Sequence, residues 1–374
     1  PGWRLAQPDL ARTLELLAAR GPRAFYEGEL ARAIVASVQK EGGVLALEDL
    51  TGYEPKLRTP LHGSYRGYAI HSFPPPSSGG VALIESLNIL EGFELAEFGP
   101  GSSASIHRIV EAMKFAFADR AAHLGDSDFV EVPIDELIDK GYAAQLRARI
   151  NPPWWQRAPS RWLQRESALR LEQPGLLPDD AGTAHLSAMD AAGNAVALTG
   201  TINTLYGSGI TVPGTGIVLN NEMDDFAKAP YEPNSYGLID TLGRNAVAPR
   251  KRPLSSMTPT IVEKDDKTVF VTGSPGGPRI ISTTLLTIVN FIDYGMDVQQ
   301  AVSAPRVHHQ WEPDKLRVEA AVPEDVVEAL RARGHDVDVS DWDWSVAEAI
   351  AFDPETGWFT GGSDPRSQGL ALGP

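Results

Sequence analysis

The hydrophobic period of this 374-residue chain is mainly helical before Gly182 and turns to two directly after it, which argues against both an all-helical and an all-β fold. Upstream, apolar residues recur at helical spacing. Pro8 and Asp9 precede Leu14, Leu17 and Ala18, and Gly21 stops the series; a second helix is expected over 25–40. The segment 65–73 alternates like a strand and ends at Pro74-Pro75-Pro76. Ser77-Ser78-Gly79-Gly80 then enters a helix carrying Leu83, Ile84, Leu87 and Leu90, and Ile106, Ile109, Val110, Met113 and Phe117 mark another. These apolar residues read as core. From Asn151 to Gly182 the pattern dissolves into scattered Pro, Arg and Trp, as in an exposed connector. Downstream the period is two, with strands expected over 183–190, 194–203, 216–220, 260–263 and 268–272. Helices over 279–292 and 323–333, and short strands near Ile350 and Phe359, complete a mixed α/β second half.

Composition works here by exclusion. A formal charge of -16 repels phosphate backbones and anionic lipid, so no nucleic-acid or membrane-surface partner is expected. The absence of cysteine removes disulfides, thiolate metal sites and cysteine nucleophiles together. No run of about 18 apolar residues occurs, hence no membrane span is expected. The opening at Pro1, without Met or a leader pattern, is read as the sign of an upstream piece outside this chain.

Asp190 and Asn194 flank Ala191-Ala192-Gly193, a three-residue loop with Gly where a left-handed residue is wanted. Closing the hairpin there sets Thr183 opposite Thr201, with Asn203 just beyond on the same face. A one-residue slip would turn these side chains to the other face. A threonine that opens a strand after a flexible connector has a chemical use once the preceding peptide bond is cut. Its new α-amine, with a pKa near about 8, serves as base for its own hydroxyl. From the hairpin alone an ordinary strand threonine is the simpler reading.

Five ordered motifs decide otherwise. They are Thr183-Ala184-His185-Leu186-Ser187, Thr199-Gly200-Thr201-Ile202-Asn203-Thr204, the run from Leu219 to Phe226, Lys251 to Met257, and Gly273-Ser274-Pro275-Gly276-Gly277. With Pro74 to Gly80 upstream and Ser363-Asp364-Pro365-Arg366 at the tail, the chain resembles γ-glutamyltransferases over nearly its whole length. The resemblance implies a four-layer αββα sandwich of the N-terminal-nucleophile type, an α+β fold that is N-terminally incomplete here. It implies self-cleavage between Gly182 and Thr183. Residues 1–182 would then be the C-terminal part of a large subunit, and 183–374 a small subunit, the two making one composite domain. It also implies a periplasmic or secreted location and no cofactor.

The same resemblance distributes the roles. Thr183 matches the nucleophile and Thr201 the hydroxyl that supports it. Asn203, Glu222 and Asp225 match the acceptors of the substrate's α-ammonium, an arrangement favoured because charge-assisted hydrogen bonds are the strong ones. Asp224 keeps the reading of a solvated turn. Ser255 and Ser256 resemble the pair that holds the α-carboxylate, and Gly276 and Gly277 the oxyanion hole. Pro278 suits a first helical position, and backbone N–H groups at a buried helix entrance favour developing negative charge. Tyr236 matches a mobile flap over the glutamyl pocket. The substrates implied are γ-glutamyl compounds such as glutathione, with water, amino acids or peptides as acceptors. The rival nucleophile Ser274 lacks the flanking glycine of an elbow, since residue 272 is Thr. His308-His309 is assigned to structure and no metal is expected. Two departures stand out: Ala184 replaces a hydroxyl residue, and the resemblance puts the family's carboxylate-clamping arginine in an N-terminal region outside this chain, with Lys251 or Arg252 as candidates to compensate. The alternatives are a cephalosporin-acylase-like glutaryl amidase and an unprocessed binding protein.

Overall fold

The computed structural model describes residues 4–150, 182–340 and 345–373. Helices α1 (Pro8–Arg20), α2 (Arg23–Tyr26), α3 (Gly28–Lys40) and α4 (Leu47–Thr51) open the chain. Strands β1 (Leu61–Tyr65) and β2 (Tyr68–Ser72) lead into α5 (Gly79–Leu90), α6 (Leu95–Phe98), α7 (Ser103–His123), α8 (Ile134–Leu137) and α9 (Lys140–Ile150). Next come β3 (Thr183–Met189), β4 (Ala195–Thr201), β5 (Thr211–Val212), β6 (Ile217–Val218), β7 (Thr260–Lys264) and β8 (Lys267–Gly273). Helices α10 (Arg279–Ile292) and α11 (Val298–Ser303) precede β9 (Val307–His308) and β10 (Leu316–Glu319). Helix α12 (Glu324–Ala332), β11 (Val337–Ser340), β12 (Glu348–Asp353) and β13 (Trp358–Ser363) end the chain. The expected connector, apart from Gly182, lies outside the described residues.

Two compact units result, one of Pro1–Arg58 with Thr201–Glu222, the other of Thr59–Gly200 with Met223–Pro374. In the smaller unit the Thr13 hydroxyl donates to the Thr215 carbonyl at 2.8 Å, tying α1 to the β5–β6 turn. In the larger unit an antiparallel sheet runs β1-β2-β7-β8-β12-β13. Its two faces are covered differently. Phe270 of β8 stacks on Phe291 of α10, with ring centroids 4.4 Å apart. Gly273, three residues on and so on the opposite face, receives the ring of His185 from β3. Helices therefore cover one face and the β3–β4 hairpin the other, giving α, β and β layers within this unit. Every residue of α5 is buried, as befits a helix apolar on nearly all sides and packed between the sheet, α7 and α9. The outer face of the hairpin, with Leu186, Val196 and Leu198, is more than half exposed.

Three expectations are corrected. The alternating segment 65–73 is not one strand; it includes the turn of the β1–β2 hairpin, because Arg66 and Gly67 both take positive φ, 52° and 80°, as a two-residue turn demands. The helix expected over 25–40 is two, since Glu27 is extended at φ -132°, ψ 162° and separates α2 from α3. Strand 216–220 also shrinks to Ile217–Val218.

The tail motif turns out to be a buried ion network. Asp364 pairs with Arg306 and accepts from Arg366 Nη1 at 3.0 Å and from the Ala347 amide at 2.8 Å. Arg366 in turn reaches Glu319 at 2.6 Å, linking β10 to the end of β13. Removing one partner of such a network strands a buried charge, at a cost of about 3–5 kcal/mol.

Candidate active site

The hairpin that opens at Thr183 has the turn expected of it. Asp190 N donates to Asn194 O at 3.0 Å, and the Asp190 carboxylate accepts the amides of Ala192 and Asn194, each at 2.9 Å. Burial along β3 alternates, so Thr183, His185, Ser187 and Met189 share the inward face while Ala184, Leu186 and Ala188 are exposed. Position 184 thus points away from the Thr183 face, as alternation required. Across the hairpin His185 Nδ1 lies 2.8 Å from Thr199 Oγ1, a directly opposed pair in the expected register.

His185 is the residue that reading for motifs passed over. Its ring lies on Gly273, where any Cβ would fall 2.2 Å from His185 Cε1, and its Nε2 is 3.1 Å from Ser187 Oγ. Burial lowers its pKa to about 4, so it is neutral near pH 7. The period-two count from Thr183 is the signal that places it, two residues and roughly 7 Å along the same face.

From Gly273 the chain leaves the sheet through Ser274-Pro275-Gly276-Gly277-Pro278 into α10. Ser274 is fully buried, and its hydroxyl bonds to Ser345 Oγ and the Pro275 carbonyl, which leaves it no approach to a substrate. The Gly276 and Gly277 carbonyls accept from Arg279 and Ile280, while neither glycine N–H has a partner among the described residues. Unpaired backbone donors inside a protein are rare and call for an acceptor. Gly277 has φ +55°, and a Cβ there would sit 2.7 Å from the Tyr236 ring. Tyr236 is itself buried, its amide donating to Asn234 Oδ1 at 3.0 Å and its carbonyl accepting from Gln310 at 3.2 Å. In this conformation the residue matched to the flap packs down on Gly277.

Asp224 and Asp225 part company as expected: Asp224 is exposed and Asp225 is buried at the end of a 3-10 turn, Glu222–Asp225. The Asp225 carbonyl accepts from Asn234 Nδ2 at 3.0 Å and Asn245 Nδ2 at 2.8 Å. Ser255 and Ser256 are half-buried on a loop bridged to Ser77, whose hydroxyl donates to the Met257 carbonyl at 2.7 Å. The Pro74–Gly80 motif is thus the bracket of that loop. In the smaller unit Asn203 is buried with φ 75°, a left-handed conformation Asn tolerates. Its amide donates to Thr201 Oγ1 at 2.7 Å, its Nδ2 donates to the Asn221 carbonyl at 3.2 Å, and Glu222 N donates to Asn220 Oδ1 at 3.0 Å.

The candidate carboxylate clamps are engaged elsewhere. Lys251 Nζ donates to the Arg244 carbonyl at 2.6 Å, and Arg252 Nη1 lies 3.9 Å from Asp128. His308 and His309 are both buried and bonded, to Ser282 and Gln310 and to Asp314 respectively, at 2.9–3.1 Å. His107, Glu111 and His335 offer ligand atoms within 4.8 Å of one another. Lys114 Nζ, however, stands 3.3 Å from Glu111 and 2.9 Å from Asp314, so the protein's own ammonium already balances that corner.

A strand-leading threonine on an α+β layered unit, and two glycine amides without a partner among the described residues at a helix entrance, are the arrangement of the N-terminal-nucleophile fold class. The γ-glutamyltranspeptidase family model matches residues 1–373. The glutathione hydrolase proenzyme of Escherichia coli (strain K12) is 46% identical over 368 residues, covering 98% of this chain and 61% of that protein. The acylase ACY 1 proenzyme of Pseudomonas sp. (strain SE83) is 42% identical over 373 residues, covering 100% of this chain and 62% of that protein. The crystal structure of cephalosporin acylase from Bacillus halodurans superposes with a TM-score of 0.80 at 30% identity, over 98% of this chain and 62% of that one. The chain belongs to the γ-glutamyltranspeptidase family, and the αββα fold class agrees with this likeness. It spans about three fifths of the length of those relatives. No helix among the described residues is long and apolar enough to cross a membrane.

Proposed function

We propose that the complete protein cuts itself between Gly182 and Thr183 and then transfers or hydrolyses γ-glutamyl groups of compounds such as glutathione. The observation that carries this reading is the pair of N–H groups at Gly276 and Gly277 that have no partner among the described residues, at the entrance to α10 beyond the strand that receives His185. The Thr183 hydroxyl attacks the γ-amide carbonyl, its α-amine takes the proton and returns it to the leaving amine, and the two glycine amides hold the oxyanion. Water, an amino acid or a peptide amine then releases the acyl group. Thr201 supports the nucleophile. Asn203, Glu222 and Asp225 receive the α-ammonium, Ser255 and Ser256 the α-carboxylate, and Tyr236 covers the acyl group. Residues 1–182 belong to the large and 183–374 to the small subunit of one precursor, in a periplasmic or secreted setting by analogy with the family.

The acylase likeness supports a second reading, a glutaryl amidase. The match at Asn203, Glu222 and Asp225 weighs against it, because a glutaryl group has no ammonium for those acceptors to receive. Turnover of a γ-glutamyl anilide against a glutaryl anilide by the complete enzyme separates the two, and a parent that prefers glutaryl moves the assignment to the acylase branch. The oxyanion role has its own test. Gly277→Val puts a branched side chain into the Tyr236 ring at a left-handed backbone position, and kcat is expected to fall by about 10²–10³-fold. Activity within about three-fold of the parent, with normal processing, places the oxyanion site elsewhere.

A further inference from the structure

His62 and His71 are directly opposed across the β1–β2 hairpin. Their Nδ1 atoms stand 2.8 Å apart, with ring centroids at 4.8 Å and ring planes crossed at 85°. On its other side His71 Nε2 lies 2.9 Å from Glu263 Oε2 of β7, the diagonal neighbour in the next row of the sheet. Gly63, one residue on from His62, turns to the opposite face, where a Cβ would fall 2.7 Å from Ile84 of α5. The two histidines and Glu263 therefore share the face turned away from α5; His62 is exposed, His71 and Glu263 half-buried. A carboxylate only accepts, so the Nε2 proton belongs to His71, and the neutral ring keeps a bare lone pair at Nδ1. His62 Nδ1 donates to that lone pair. An outer carboxylate does the same for a metal-bound imidazole, fixing its tautomer and the direction of its ring. In the His107–Glu111–His335 corner the carboxylate is engaged by Lys114; here it orients a ligand.

We propose that His62 and His71 form a two-imidazole site for a divalent transition-metal ion of tetragonal preference, Cu2+ before Ni2+, with Glu263 orienting His71. The spacing selects the geometry. With metal–imidazole bonds of about 2.0 Å, two ligands at a right angle sit about 2.8 Å apart and a tetrahedral pair about 3.3 Å apart. The two Nδ1 atoms already have the first separation. Imidazole suits both ions, and copper leads the affinity order of the first-row divalent metals. Binding moves the His62 proton from Nδ1 to the solvent-facing Nε2 and tilts each ring so that the two lone pairs meet at one point. The exposure of His62 leaves room for both changes. Coordination positions beyond the two imidazoles stay open to water or to an outside donor. Strand β1 is the edge of the sheet and pairs with β2, so the bound ion fastens that edge. No spacing motif marks the pair, because nine residues of sequence bring these rings together only through the hairpin register.

The test is a calorimetric titration of the complete, self-processed enzyme with Cu2+ after dialysis against a chelator. The parent is expected to take up one equivalent more than His62→Ala or His71→Ala. Its electron paramagnetic resonance spectrum should show coupling to two nitrogens that both substitutions remove. Glu263→Ala keeps both ligands and is expected to weaken that equivalent about ten-fold, the scale for losing an outer partner of a metal-bound histidine. The parent's Tm should rise with added Cu2+ by mass action, and that of His62→Ala should rise less. Because His62 is exposed, its variant puts the fold at least risk, and it decides by itself should His71→Ala not fold. The cut proposed above creates a rival chelator, the Thr183 amine with His185 third in line, which would hold the ion through four nitrogens and which these substitutions do not touch. Equal uptake by the parent and His62→Ala overturns the proposal, as does a parent spectrum of the four-nitrogen type alone. An unchanged affinity in Glu263→Ala overturns the part assigned to Glu263.

Discussion

Thr183→Ala is expected to leave the complete protein as one uncut chain and to lower γ-glutamyl turnover by roughly 10⁶-fold, the scale for deleting a nucleophile that acts as part of a unit. The same hydroxyl serves both steps. In the proposed mechanism it attacks the Gly182 carbonyl, the acyl group shifts from nitrogen to oxygen and so frees the Thr183 amine, and water then cleaves the ester, which separates the two chains and restores the hydroxyl. Without that amine the later acyl transfer loses its base as well. Nothing else described nearby is ready to take over. Ser274 is sealed by Ser345 and Pro275, and His185 is neutral and already bonded to Thr199 and Ser187. A denaturing gel and N-terminal sequencing of the smaller fragment measure the outcome. A new terminus at any residue other than Thr183 would remove the mechanism.

What the sequence disclosed depended on whether the determining contact was local. Helix α10 has the limits its apolar run implied, and the β3–β4 turn falls where Asp190 and Asn194 put it, because each is set by residues within a turn or two. The β1–β2 hairpin escaped for the opposite reason. Its turn is carried by a non-glycine residue at positive φ, Arg66, which no composition rule marks. The motif glycines and hydroxyls were legible only as a pattern, while the residues that hold them were not. Asn245 reaches back 20 positions to Asp225 and forward nine to Leu254, and Ser78 reaches 177 positions to Ser255. Periodicity carries no information about such pairs. Nor does it mark the Asn234 and Asn245 side chains that hold the Asp225 carbonyl from nine and 20 positions away.

Asp225→Ala should cost about 2–5 kcal/mol in recognition of a γ-glutamyl donor, the scale for removing one partner of a desolvated charge pair. Asp225 sits buried while its main chain is fixed by two buried asparagines, so its carboxylate is pre-placed and little ordering is needed on binding. The Asn234 and Asn245 contacts go to the Asp225 carbonyl, which alanine retains. The substitution therefore leaves the main-chain anchors of the loop in place, while it also removes one of the negative charges that act on buried Arg120, so a modest loss of thermal stability is expected beside the loss of recognition. The loss should be read in kcat/KM for a γ-glutamyl anilide. A glutaryl anilide lacks the ammonium, so the parent handles it poorly and the substitution hurts it far less. Equal losses for both substrates would mean that Asp225 serves the nucleophile or the fold.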